Sequence, residues 1–562
     1  MRRVLSFAIG LSLSLSFGLA SAQNWNVQER NLPEMGSSAG ELLTPAKRAE
    51  YGSMMLAQLR HYNLILEDPL LNRWLNQVGQ QLGKNSAKPN QDFTFFLVKD
   101  RQINAFATLG GYIGMNAGLI LAADKEDEVA GVLSHEIAHV TQDHVLRSVE
   151  RAKRDQLPMM LAILGAIAAA QSGSSSSGNA AMAIMTGAMG IAQQRQINYT
   201  RSGEQEADRI GIQTMIRSGY DPNAMADFFQ VLQTRLRANG ANYSGEDPPE
   251  YLMTHPVTLT RISEARALAE QYSKPGGMVP KNVAVPTIEN RNSLLPKSLQ
   301  VPVGGAASEP KSSNSATQTG PKSFKVVVRE SAGFAFARER LRVLSEELPK
   351  QSLKEYQTIQ RNGTLSEAQK YGLAVALAQS QEYKEALSLL TPLKASSPDN
   401  IWVSLSYADV LNRSGDVAKA DAEFEQLVKR FPLDRAVALT YAESLTNRDN
   451  AASAKRALEV LRPLEGKVND DPLYWLSVAR AAQVSGDPVR AGEAFAENAY
   501  TRGFAEQALV QYETLKRRTD LDYYSRSRID ARIAKIKPLV LELRRQGQED
   551  PDLHGRRAGG TG

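Results

Sequence analysis

Three histidines and a glutamate stand within the short run SHEIAHVTQDH, at residues 134–144. His135 and His139 are four positions apart, so on a helix their imidazole rings project from one face and can reach the same ion. Glu136 stands beside them and can lie close to that ion without binding it. In the pattern H-E-x-x-H this glutamate acts as general base on a water molecule activated by zinc. The same pattern also occurs by chance on ordinary helices, so it leaves both interpretations open.

A catalytic zinc ion needs three protein ligands and one open position. The chain has no cysteine, so the third ligand must be a histidine, an aspartate or a glutamate. The next acidic cluster reads EQEAD at 204–208, and on a helix Glu204 and Asp208 share one face. Glu204 could complete the ligand set, while Asp208 could accept the second ring N–H of a ligating histidine and fix its tautomer. The alternative is that the cluster is the solvated acidic start of a helix.

Three further histidines are weaker candidates for a role in this chemistry. His144 lies five residues beyond His139, which rotates it off the ligand face by more than a quarter turn if the helix continues. We therefore expect it to be a surface histidine or to lie behind the ligands. His61 and His554 have no neighbours in sequence that suggest chemistry.

The residues that could bind the ion lie in a region that mixes strand and helix patterns. Residues 92–98 (DFTFFLV) are rich in β-forming side chains, and residues 103–115 (INAFATLGGYIGM) indicate two short strands around a Gly-Gly pair. Residues 124–149 begin acidic and continue with apolar residues at helical spacing, so the histidine pair is expected on a helix. The pattern predicts a domain of mixed helices and strands over residues 23–273.

The first 22 residues have the composition of an export signal. Arg2 and Arg3 precede an apolar run, and a small-residue Ala-Ser-Ala sequence ends at position 22. This pattern predicts cleavage between Ala22 and Gln23 and a periplasmic location. A retained membrane anchor is the alternative, but serines interrupt the apolar run and the run is short for a membrane span.

The net charge argues against one class of partner. The formal charge is +5, and residues 1–22 hold two arginines and no acid, so the mature chain carries 5 − 2 = +3. This charge is mild, and basic residues do not cluster with interleaved aromatic residues. No nucleic-acid partner is therefore predicted.

A chain of 562 residues is too long for a single core, and its second half repeats itself. Pro, Gly, Ser and Asn dominate residues 274–323, which indicates a flexible linker. Over residues 324–545, small residues and prolines recur at the 34-residue interval of tetratricopeptide helix-turn-helix repeats. We predict an all-α solenoid there that binds a peptide or a partner protein, followed by a disordered tail over 546–562. The recurring residues are Ala374, Ala408 and Ala442, Ala386 and Ala420, and Pro398 and Pro432, while Ala408, Gly415 and Ala420 recur 71 residues later as Ala479, Gly486 and Ala491.

Two apolar runs, 157–170 and 180–192, flank a Ser/Gly-rich stretch between the histidine pair and the acidic cluster. Each run is too short to cross a bilayer core about 30 Å thick. A buried helical hairpin is one interpretation. The other is a mobile lid or plug over residues 157–192 that touches the membrane surface, an outer-membrane protein or the cleft.

Taken together, the motifs resemble those of the zinc peptidases related to the CAAX-prenyl endopeptidase. The resemblance rests on HEIAH, EQEAD, the N-A-F at 104–106 and the T-H-P at 254–256. The export signal and the repeats narrow it to the bacterial branch of β-barrel assembly-enhancing proteases. It implies a multidomain chain in which an α+β gluzincin-type zinc metallopeptidase domain precedes the tetratricopeptide solenoid.

The resemblance also implies roles for the metal-site residues. It places one Zn²⁺ per chain on His135, His139 and Glu204. Glu136 would be the base, and Asp208 would lie behind the ligands.

Three further residues receive roles from the same resemblance. Asn104, on what would be the edge strand of the cleft, would bind an extended substrate backbone. His255 and Arg261 match the positions that stabilise the oxyanion of the tetrahedral intermediate. His255 could instead occupy the open zinc position in a resting state, and both roles stay open.

The predicted function is that of a periplasmic zinc endopeptidase that degrades misassembled outer-membrane β-barrel proteins and assists their assembly as a chaperone. The resemblance implies that unfolded or stalled barrel proteins are the substrates and that the repeats dock on the β-barrel assembly machinery. A stalled barrel exposes unpaired strand edges, which a strand-adding cleft could bind. The alternative is a repeat-domain chaperone or adaptor with a non-catalytic metal site.

Overall fold

The computed structural model describes residues 43–151, 200–241, 250–273 and 332–545. The predicted export signal, linker and tail lie outside the described residues, as does the apolar segment over 157–192. In the part of the chain that is described, no helix combines the length and the apolar composition needed to cross a membrane.

A three-stranded sheet organises the N-terminal part of the chain. β1 (Thr94–Val98) pairs in parallel with β3 (Tyr112–Asn116), and β2 (Ala105–Ala107) pairs with β3 in antiparallel orientation. The strand order β1-β3-β2 makes β2 an edge strand. The strands occupy the segments that the β-forming residues predict, so this prediction is confirmed.

A glycine pair makes the turn between β2 and β3. Gly110 and Gly111 have φ angles of 75° and 84°, which residues with a Cβ atom rarely adopt. A Cβ atom on Gly111 would lie 2.2 Å from the carbonyl oxygen of Asp92. Glycine is therefore required where the chain turns back to place β2 beside β3.

Helix α4 (Glu126–Thr141) carries the histidine pair and packs on the sheet and on α2 (Pro69–Lys84). Three acidic residues in the first turn of α4 interact favourably with the positive end of the helix dipole. The apolar side chains of α4 are buried, as their spacing predicts. Helix α2 begins at the N-cap Asp68, whose carboxylate accepts the backbone N–H of Leu71. The other helices of this part are α1 (Pro45–His61), α3 (Ala117–Ala122), α5 (144–151), α6 (200–218), α7 (Asn223–Ala241), α8 (Glu250–Thr254) and α9 (Leu259–Ser273).

From residue 332 the described chain consists of helices stacked one on the next. The alanines of the 34-residue period lie where these helices meet, and Ala374, Ala408 and Ala442 are each 0% exposed. Their small side chains allow the helices to approach closely, which explains why the period is visible in the sequence. The helices are α10 (Ala332–Leu344), α11 (Pro349–Asn362), α12 (Glu367–Gln379), α13 (Tyr383–Ser396), α14 (Ile401–Arg413), α15 (Val417–Arg430), α16 (Arg435–Thr446), α17 (Ala451–Leu461), α18 (Pro472–Ser485), α19 (Pro488–Thr501), α20 (Ala505–Lys516) and α21 (Tyr523–Arg545).

The repeats pack against the N-terminal part through a largely buried ion pair. Arg340 donates from Nε and Nη2 to the two carboxylate oxygens of Asp68, at 2.9 and 2.6 Å. The two side chains are 19% and 8% exposed, so little water screens the pair. Arg73 makes a second ion pair across the same boundary, with Asp434 at 2.6 Å. Apolar packing is also continuous between the two parts of the chain.

Replacing Asp68 by asparagine is expected to lower the free energy of unfolding by on the order of 3 kcal/mol, because it leaves the Arg340 charge without its carboxylate. Asparagine can still cap α2, so the lost stability would reflect the broken ion pair and not a lost helix cap. Denaturant titration measures the change. Asp416→Asn, which breaks an exposed pair with Lys419, is the control and should unfold like the parent. Equal stability of all three proteins would show that the buried pair contributes nothing.

Candidate metal centre

Three separate segments bring their side chains to one point. Helix α4 supplies His135 and His139, helix α6 supplies Glu204, and the residue after α8 is His255. Each of the four can offer one ligand atom such that all of these atoms lie within 4.8 Å of one another. The predicted ligands therefore converge although His139 and Glu204 are 65 positions apart in the sequence.

The distances between these atoms resemble the edges of a tetrahedral site. His135 Nε2 and His139 Nε2 are 2.9 Å apart, and each lies 3.4 Å from an oxygen of Glu204. Ligands about 2.05 Å from a tetrahedral zinc ion would be about 3.3 Å apart. Nδ1 of His255 lies 3.4 Å from His135 Nε2 and 3.1 Å from Glu204, so it is close enough to be a fourth ligand atom.

Glu136 lies beside this cluster and is 1% exposed. Its Oε1 atom is buried and makes no hydrogen bond to any residue that the structure describes. The neighbouring His255 Nε2 is 3.7 Å away. A buried carboxylate oxygen without a donor is costly and points to a functional role. The imidazole and carboxylate donors, with this oxygen next to them, suit a divalent cation and a base that acts at its open position.

The charges of the site favour a bound cation. Burial opposes protonation of His135, but the hydrogen bonds to Asp208 and Glu204 outweigh it and raise the pKa of His135 to about 10. Burial lowers the pKa of His139 to about 4, although contact with Glu204 acts in the opposite direction. Burial should also raise the pKa of the Glu204 carboxyl, but hydrogen bonds to the three histidines hold it far below its usual range. A protonated His135 cannot bind a metal ion. It must lose one proton before its Nε2 can ligate a cation together with His139 and Glu204.

Asp208 and Arg261 hold His135 from the side opposite the cluster. Asp208 Oδ1 lies 2.9 Å from His135 Nδ1, and Arg261 donates to both carboxylate oxygens of Asp208 at 2.7 Å. Arg261 Nη1 also lies 2.9 Å from Glu204 Oε2. Its guanidinium thus contacts two carboxylates of the site, and its predicted contact with an oxyanion stays a prediction.

The expectation for His144 assumed that the helix continues past His139, and this assumption is wrong. Helix α4 ends before Asp143, which adopts a left-handed conformation with φ of 53°. Arg48 and Lys88 hold the Asp143 carboxylate at 2.8 and 3.0 Å. The turn brings the buried His144 back, so that its Nδ1 lies 2.8 Å from Nδ1 of His139.

Asn104 directly precedes the edge strand β2. Its carbonyl oxygen accepts the backbone N–H of Asn116 at 2.9 Å, which extends the pairing of β2 with β3 by one hydrogen bond. The far side of β2 pairs with no other strand among the described residues. An unpaired strand edge of this kind can bind an extended peptide by main-chain hydrogen bonds.

Known protein families match both parts of the chain. Peptidase family M48 matches residues 69–269, and the tetratricopeptide repeat matches residues 376–442. These ranges lie within the predicted peptidase domain at 23–273 and the predicted repeat domain at 324–545. The predicted fold class, a metallopeptidase domain followed by helical repeats, is confirmed.

Individual relatives are similar over most of the chain. The beta-barrel assembly-enhancing protease of Yersinia pestis is 32% identical over 514 residues, which cover 92% of this chain and 93% of the relative. The protein of the same name from Escherichia coli strain K12 is 29% identical over 516 residues, covering 90% of this chain and 91% of the relative. The mitochondrial metalloendopeptidase OMA1 of Schizosaccharomyces pombe is 25% identical over 214 residues, 38% of this chain and 55% of that protein.

Proposed function

The chain belongs to the family of beta-barrel assembly-enhancing proteases, and we propose that it is a periplasmic zinc endopeptidase that degrades misassembled outer-membrane β-barrel proteins. It is a metalloendopeptidase with a protease role in barrel assembly. The observation that carries the finer proposal is the buried Oε1 of Glu136, which accepts no hydrogen bond from any described residue, beside four ligand atoms that lie within 4.8 Å of one another.

In this proposal His135, His139 and Glu204 hold zinc. When bound, zinc supplies a Lewis acid that polarises the scissile carbonyl and lowers the pKa of water. Glu136 takes the proton of the attacking water and later passes it to the leaving amine. Its Oε1 accepts no hydrogen bond within the described chain, which supports this role, because a base needs an acceptor atom that no protein donor already occupies.

Asp208 and Arg261 keep the first ligand in the right tautomer. An anionic Asp208 accepts the Nδ1–H of His135, so the lone pair on Nε2 points toward the cluster. The two hydrogen bonds from Arg261 fix the carboxylate in that position. We assign these two residues to the orientation of His135.

The position of His255 supports a resting-state role. Its Nδ1 lies close enough to His135 and Glu204 to act as a fourth ligand. A histidine that ligated from that position would compete with the substrate carbonyl for the open position of the ion. If the ring moves away from this position, it can donate a hydrogen bond to the oxyanion. The two roles predicted from sequence then belong to two states of one residue.

The edge of β2 supports substrate binding by strand addition. Stalled barrel proteins expose unpaired strands, and such a strand could pair with β2 with Asn104 at one end. Strand addition recognises the substrate through hydrogen bonds to its backbone and not through its side chains. This suits an enzyme that must act on many different barrel proteins.

The repeats offer a separate surface for a partner protein. A cavity of about 2110 Å³ lies between helices α1 and α2 and the last repeats, and none of the metal-centre residues line it. Its walls mix aromatic and charged side chains, among them Tyr51, Arg435 and Phe504, a composition that suits a protein segment. We propose that the repeats dock on the β-barrel assembly machinery and that the chain also acts as a chaperone there. Peripheral membrane contact through residues 157–192 stays a prediction.

A chaperone or adaptor with a non-catalytic metal site is the competing function. The mature chain should cleave an unfolded barrel protein and casein, lose this activity when a chelator removes the metal, and regain it when zinc is returned. The folded, membrane-inserted form of the same barrel protein is the matched substrate and should stay intact, because its strands are all paired. A chain that holds zinc and cleaves neither unfolded substrate would favour the competing function.

A further inference from the structure

The second ligand histidine has a support of its own. His139 turns Nε2 toward His135 and Glu204, while its Nδ1 lies 2.8 Å from Nδ1 of His144. His144 is only 6% exposed, and its Nε2 lies 3.1 Å from Oε2 of Glu206. A line of contacts therefore runs from the metal centre through two imidazoles to a carboxylate.

The proton positions along this line follow from the role of His139. A ligating Nε2 must present its lone pair, so the proton of the neutral ring sits on Nδ1. Two ring nitrogens 2.8 Å apart form one hydrogen bond, in which one donates and the other accepts. Nδ1 of His139 is therefore the donor and Nδ1 of His144 the acceptor. The proton of His144 is left on Nε2, where it is donated to Glu206. In this arrangement each contact has one donor and one acceptor.

The carboxylate at the end of the line also contacts an arginine. Arg147 Nη2 lies 3.1 Å from the same oxygen that faces His144. Each ligand histidine is therefore supported by a carboxylate that an arginine contacts. Asp208 contacts His135 directly, and Glu206 acts on His139 through the imidazole of His144.

We propose that His144 and Glu206 are positioning residues that orient His139 for metal binding. The inference rests on the proposed zinc site, but it concerns residues that do not touch the ion. Glu206 fixes the tautomer of His144, and His144 in turn fixes the tautomer and the ring plane of His139. Outer partners of this kind typically contribute about 10- to 100-fold to metal affinity.

The test is the dissociation constant for zinc, measured by chelator competition on the full mature chain and its variants. His144→Leu removes the acceptor for His139 and should weaken zinc binding by about 10- to 100-fold. His144→Asn places Oδ1 where the Nδ1 acceptor stood and should recover most of that loss. Glu206→Ala, at a side chain that is 29% exposed, should weaken binding toward the lower end of the same range. Val145→Ala, at an exposed neighbour, should bind zinc like the parent.

A second readout separates orientation from general packing. With cobalt(II) in place of zinc, the ligand-field absorption of His144→Leu should shift, and that of His144→Asn should return toward the parent spectrum. Parent-like zinc affinity in both His144→Leu and Glu206→Ala would overturn the inference. So would a loss in His144→Leu that asparagine does not recover, because packing alone would then explain it. A parent chain that binds no zinc would instead overturn the metal site itself.

Discussion

Replacing Glu136 by glutamine is expected to slow peptide-bond cleavage by about 10²- to 10⁴-fold while the protein keeps its fold and its metal. The amide cannot take the proton of the attacking water, but it preserves the shape of a side chain that is 1% exposed. Because Glu136 Oε1 makes no hydrogen bond within the described chain, the substitution breaks no hydrogen bond of that atom. Single-turnover cleavage of an unfolded barrel protein measures the rate, and elemental analysis measures the metal content.

The matched control is Glu264→Gln, the same chemical change at an exposed carboxylate on α9. It should cleave substrate at the parent rate. Undiminished proteolysis by the Glu136 variant would remove this residue from the mechanism. Normal barrel assembly in cells that carry the inactive variant would show that the chaperone role does not need cleavage.

The part of the centre that follows from local geometry is predictable from sequence. Helical spacing alone places His135 and His139 on one face and Glu204 and Asp208 on another. The folding together of the two helices is a long-range event that spacing cannot show, and here the motif resemblance supplied the pairing. His255 was a candidate only through that resemblance, because a histidine on a short connection carries no periodic signal.

The sequence left the position of His144 open between the surface and a place behind the ligands, and the reason is physical. A continuous helix would turn His144 away, and the break at Asp143 depends on Arg48 and Lys88, which lie 95 and 55 residues earlier in the chain. Aspartate tolerates the left-handed conformation better than most residues. That tolerance was the only local signal of the break.

In the repeats, too, local features can be predicted from the sequence and long-range contacts cannot. The buried alanines recur with the period because each repeat meets its neighbour at the same position, so the array is visible in one sequence. The contact of Arg340 with Asp68 joins residues 272 positions apart and has no counterpart in the period. The elements were therefore predictable, whereas the way in which the repeats pack on the peptidase part was not.

Replacing Glu204 by alanine is expected to reduce the metal content of the purified chain from about one ion to well below that value. Glu204 is the anion that faces all three histidines of the cluster, and Arg261 Nη1 lies 2.9 Å from it. Without its carboxylate the site would lose a ligand, and the guanidinium charge near the cation would be less compensated. The loss in zinc affinity should therefore exceed the roughly 10- to 100-fold expected for residues behind the ligands.

Glu204→Gln separates the two causes of this loss. Glutamine keeps an oxygen that can ligate but lacks the negative charge, so its zinc affinity should lie between those of the parent and the alanine variant. Glu264→Ala, at the exposed carboxylate on α9, should keep the parent metal content. Circular dichroism of each variant checks that the fold is retained, and elemental analysis after gel filtration measures the bound metal. An unchanged metal content in a folded Glu204→Ala chain would reject Glu204 as a ligand. Another side chain would then have to be the third ligand.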